Sequence, residues 1–80
     1  MKKNVYYFSI VKNLEKSGAW LAKVEMTEPE QPVRQIVHVS AWSSAAPAKR
    51  WAASLVNRSR LSWDVSEDGK SMTSTLEVKP

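Results

Sequence analysis

The sequence predicts an α+β domain in the order β-β-β-α-β-β, an antiparallel sheet with one amphipathic helix packed on one face. Three observations carry this. Apolar and polar residues alternate along several short runs, the spacing changes to three and four residues after Trp42, and turn residues punctuate the runs. With 80 residues the chain makes a single domain over 1–80, because chains divide into domains only at greater lengths.

Val5 to Lys12 forms the first strand, with Tyr6, Phe8 and Ile10 on one face and Val5, Tyr7, Ser9 and Val11 on the other. Asn13 to Gly18 is a polar connection closed by glycine, which suits a hairpin loop. Ala19 to Met26 alternates cleanly: Trp20, Ala22, Val24 and Met26 point one way, Leu21, Lys23 and Glu25 the other. Thr27 to Pro32 holds two prolines and two acids and reads as an exposed loop. Val33 to Ser40 is the third strand, with Val33, Gln35, Val37 and Val39 on one face and Arg34, Ile36, His38 and Ser40 on the other.

The helix follows. Ala48, Trp51, Ala52, Leu55 and Ser59 share one face. Ser43 or Ser44 caps it, and Ser44 places Pro47 in the first turn, where its missing N–H costs nothing. Asn57 ends it in a left-handed conformation. Beyond it Leu61, Trp63 and Val65 alternate with Ser62 and Asp64, Ser66 to Lys70 makes a turn, and Met72 to Val78 is the fifth strand. Trp20, Trp51 and Trp63 fall on inward faces, and Trp42 is core or surface.

Composition excludes several functions. There is no cysteine, hence no disulfide, thiolate-held metal or cysteine nucleophile. The lysines before Val5 begin like a signal peptide, but Ser9 interrupts and Lys12 closes the apolar run too early. No run reaches the ~18 apolar residues of a membrane span. A soluble, cytoplasmic protein with no membrane partner and no cofactor is expected.

The chemical-looking strings are few. Asp64, Ser66, Asp68 and Gly69 match the opening of a calcium loop, yet the twelfth position is Thr75 and strands flank it, so the string reads as an acidic hairpin turn. Asn57, Arg58, Ser59 matches a glycosylation acceptor with nothing else to indicate secretion. His38 is the sole imidazole, and no nucleophile elbow, phosphate-binding glycine loop or paired carboxylates accompany it. The expectation is a protein without catalytic residues.

Binding remains, and two surfaces offer it. The chain carries 12 Lys and Arg against 8 Asp and Glu, a formal net charge of +4, which favours approach to polyanions. Lys49 and Arg50 project from the outer helix face and Arg58 and Arg60 lie just past its end, so one basic edge is available to phosphates. A strand pattern that sets Trp20, Val24, Val37 and Val39 against the helix leaves Tyr7, Val11, Leu21, Ile36 and His38 on the outer sheet face, where Tyr7, Leu21 and Ile36 make a patch rimmed by Lys23, Arg34 and Glu25. If the C-terminal hairpin leaves it open, this patch suits a protein partner or a homodimer contact.

Gly18 to Val24, with Trp20 and Lys23, followed by a loop, a strand and a helix ending in Lys49, Arg50, Trp51, Ala52, Ala53, Ser54, Leu55, resembles the arm-type DNA-binding module of phage and transposon integrases and, more distantly, the plant AP2 domain. The resemblance covers about half of the chain. It implies a three-stranded sheet laid in the major groove with the helix behind it, and carries over Lys23, Arg34 and His38 as reading residues. Leu21, Ile36 and Glu25 on the same face and an added C-terminal hairpin depart from that module. In size and layout the chain is also similar to small phage-encoded anti-CRISPR inhibitors, which mask a host protein complex. Two expectations result: binding of DNA or a nucleoprotein complex, as in a mobile-element or phage-type regulator, or inhibition through protein contacts.

Overall fold

A computed structural model of the chain describes residues 3–13 and 18–78. It shows the expected order of elements: β1 (Asn4–Lys12), β2 (Trp20–Glu28), β3 (Gln31–Trp42), α1 (Ala45–Leu55), β4 (Asp64–Val65) and β5 (Ser71–Val78). The strands form one antiparallel sheet in the order β3-β2-β1-β5-β4. Most of the β1–β2 connection, residues 14–17, lies outside the described residues. Its two ends are joined by the Asn13 N–H donating to the Ala19 carbonyl at 2.8 Å.

Period-two alternation in β1 and β2 sorts their side chains as expected. Phe8, Ile10, Ala22 and Val24 are buried beneath the helix, and Met72 joins them from β5. The helix meets this layer through alanines: Ala48, Ala52 and Ala53 are buried. Small side chains let the helix axis lie close to the sheet, and the large rings fill the flanks. Trp51 and Trp63 pack against both halves of the core, with Trp20 and Trp42 against one end and Tyr6 and Leu61 against the other. Leu55 and Ser59, expected on the inward face, lie outside it: Leu55 is at an exposed position and Ser59 is past the helix end. The helix is rotated so that Ala53 takes the inward place.

Both helix ends follow local chemistry. Ser44 takes the extended N-cap conformation, although its side chain makes no capping bond, and Pro47 sits in the first turn. At the other end Asn57 has φ 55°. The Arg58 N–H donates to the Ala53 carbonyl at 3.0 Å and the Asn57 N–H to the Ser54 carbonyl at 3.3 Å, the paired bonds of a Schellman motif. Asparagine tolerates this left-handed backbone better than other side-chain-bearing residues.

Strand β3 departs from expectation twice. The expected loop from Thr27 to Pro32 is a tight turn at Pro29 and Glu30. Pro32 lies within β3, which is tolerable because β3 is the sheet edge. Further on, Val24 pairs with His38 but Glu25 pairs with Ile36, so Val37 is an extra, bulged residue. The bulge inverts the strand beyond it. His38, Ser40 and Trp42 share the helix side with Val24, Ala22 and Trp20, while Val39 pairs with Lys23 on the outer side and is 64% exposed. The expected placement of Val39 against the helix and of His38 on the outer face is therefore reversed. Val39→Thr should alter stability by no more than ~0.5 kcal/mol in urea unfolding, whereas a core valine would lose more on gaining a hydroxyl.

The C-terminal hairpin extends the sheet beyond β1. Strand β4 is shorter than the alternation at residues 61–65 implied, because the chain leaves the ladder where Trp63 packs edge-on over Phe8, centroids 6.2 Å apart. The β4–β5 turn is held by Asp68, whose carboxylate accepts the Ser66 hydroxyl at 2.6 Å and the Lys70 N–H at 3.0 Å. These bonds, the Ser66 hydroxyl foremost, hold the Asp68 carboxyl below its ordinary range. The stabilisation is complete at neutral pH and disappears as pH falls through the lowered value. The gap in melting temperature between the native chain and Asp68→Asn should close below the usual aspartate range; a gap constant through acid would show that the carboxylate anchors nothing.

Candidate nucleic-acid interface

The helix and its C-terminal turn build a basic groove. Since Ala48, Ala52 and Ala53 face the sheet, Lys49 and Arg50 are turned away from it, Arg50 being exposed. Asn57 reverses the chain, and burial of Leu61 and Trp63 against the core fixes the returning segment. Arg60 and Ser59 are thereby brought beside Lys49 and Arg50. The four line one hollow of about 220 Å³ with Leu61 and Trp63. No carboxylate lines it, and among the described residues none of Lys49, Arg50, Arg58 and Arg60 forms an ion pair. Arg58 is exposed at the same end of the helix without lining the hollow.

The other basic residues singled out in the sequence lie elsewhere. Lys23 and Arg34 are on the outer sheet face, where both approach one Glu25 oxygen, at 3.6 and 4.0 Å. The Arg34 guanidinium also lies over the Tyr7 ring at 3.7 Å, a cation–π contact. These two cations are engaged within the sheet, unlike those of the groove. His38 is not with them. It is exposed on the helix side, its ring edge-on to Trp51 at 6.1 Å. Of the two lysines before Val5, Lys3 bonds Glu77 at 3.2 Å, and Lys2 lies outside the described residues.

Tyr7, Leu21 and Ile36 do share the outer face, and no described element covers it. Leu21 is 45% and Ile36 60% exposed, and Val11 and Val39 extend the apolar area around Leu21. Tyr7 instead borders a second hollow with Arg34, Glu25 and the hydroxyls of Ser9, Thr73 and Thr75.

Trp63, Leu61 and Ser59 were not legible as groove residues, since alternation assigns Trp63 to the core alone. It does both. Of the string from Asp64 to Gly69, Asp64 and Val65 form β4 and the rest belongs to the β4–β5 turn, with Asp68 bonded to Ser66 and Lys70. No helix among the described residues is long and apolar enough to cross a membrane. No family model matches the chain, and neither a curated protein nor a solved structure matches it.

Proposed function

We propose that the chain is a non-catalytic nucleic-acid-binding domain, of the kind that regulates a mobile element or phage, and that it grips phosphates through the groove at the end of α1. The observation that supports this is the convergence of Lys49, Arg50 and Arg60 on one hollow with no acid among its walls. Cations held together without internal partners have no intramolecular attraction to surrender when phosphates arrive, and each phosphate neutralised releases condensed counterions. Lys23 and Arg34, shared with Glu25 on the opposite face, are secondary to this grip. The test is fluorescence anisotropy with labelled DNA in low salt and again at physiological salt. Salt-sensitive binding is expected; absence of binding in low salt would overturn the reading.

A second reading rests on the open sheet face. Leu21, Ile36 and Val39, 45–64% exposed, suit a protein partner, and a phage-type inhibitor that masks a host complex would use such a face. Its binding would persist at high salt and be lost with Ile36→Asp, whereas the groove reading expects the reverse on both counts.

A further inference from the structure

We propose that the polynucleotide taken by the groove is single-stranded, with one unstacked base against the Trp63 indole and its flanking phosphates on Lys49, Arg50 and Arg60. The inference rests on the nucleic-acid reading above and specifies its ligand. The shape of the basic region carries it. The cations share the lining of a hollow of about 220 Å³ with Leu61 and Trp63. Phosphates alone would need only a basic ridge; apolar and aromatic side chains lining the same hollow as the cations match a base with its own backbone. In a duplex the bases are stacked and paired, so none can enter such a hollow unless it is first extruded. A single strand presents bases freely, and aromatic side chains between basic residues are the usual means of holding one.

The rest of the molecule offers little for reading a duplex. Major-groove recognition needs a protruding helix or strand pair bearing donors toward base edges. Here α1 lies along the sheet on its alanines. The outer sheet face carries Leu21, Ile36 and Val39 among its exposed side chains, and its Lys23 and Arg34 converge on Glu25. Trp63 is held in place from behind: it is half-buried, and Phe8 meets it edge-on at 68°. A base would therefore stack on a ring that is already oriented.

The test compares an oligothymidine with a blunt duplex of equal length, using the full chain in low salt. The oligothymidine should bind at least ~10-fold more tightly, Trp63→Leu should weaken it by about 5- to 100-fold, the worth of one base–aromatic stack, and Trp63→Phe should retain most of the affinity. Because Trp63 also packs on Phe8, the native chain supplies a readout free of any folding defect. On addition of the oligothymidine, the Trp63 indole N–H resonance should shift, and its ring should show contacts to thymine protons. Duplex binding as tight as the single strand, or a Trp63 signal unmoved in a saturated complex, would overturn the proposal while leaving nucleic-acid binding intact. If neither probe binds, both the proposal and the reading beneath it fall.

Discussion

Ile10→Ala should lower the stability of the fold by about 2–5 kcal/mol, the range for truncating a buried aliphatic side chain. Ile10 is 1% exposed and belongs to a cluster with Ala22, Ala48 and Met72. Two of these neighbours are alanines, which have no side-chain length with which to collapse into the space left behind. The cost should therefore lie toward the upper part of the range, since it grows with the residual cavity. For a chain of 80 residues, total stability scales to roughly 4–12 kcal/mol, so a large share disappears with one side chain. The same chemical change at Ile36, 60% exposed on the outer face, should cost no more than ~0.5 kcal/mol. Urea unfolding of the two variants under identical conditions checks the pair. Equal losses would mean that the outer face is covered in solution or that the helix packs on the other side.

The contrast between these isoleucines also shows which parts of the molecule local sequence can specify. Ile10 is assigned correctly by alternation because β1 runs without interruption between two paired neighbours. The same rule misplaces Val39 and His38. Nothing in the run from Val33 to Ser40 marks Val37 as an extra residue, since a bulge is defined by its partner strand, and valine is equally suited to either face. Helix limits were legible, through Ser44, Pro47 and Asn57, because capping is decided within one turn. Helix rotation was not: Leu55 has the stronger apolar signal than Ala53, but the sheet selects the smaller residue where the helix must approach closely. The open outer face depended on sheet order alone, on β5 pairing with β1 rather than folding across.

The groove was partly legible for the same reason. Two basic pairs flanking a helix end predict a basic edge, but only the chain reversal at Asn57 and the anchoring of Trp63 place Arg60 against Lys49 and Arg50 as walls of one hollow. That geometry sets the size of the second large effect. With about three phosphates neutralised, the logarithm of the binding constant should fall with that of salt at a slope of about −2 for a single strand, or nearer −3 for a duplex. Raising salt from about 50 to about 200 mM then weakens binding by roughly 20- to 40-fold. Lys49→Glu combined with Arg50→Glu should reduce low-salt affinity by at least ~100-fold, because two attractions become two repulsions beside the remaining Arg60. The variant should keep its melting temperature, for neither side chain has an ion pair to lose among the described residues. Arg34→Glu is the informative control. It makes the same reversal of charge at one position, half the total change of the double variant, but lies on the opposite face, within 4.0 Å of Glu25, so it should leave nucleic-acid affinity within a few-fold of native. If Arg34→Glu proved as damaging as the helix variant, the sheet face would be the contact surface. If neither weakened binding, long-range charge would be excluded as its source, and the apolar face around Leu21 and Ile36 would become the surface to dissect.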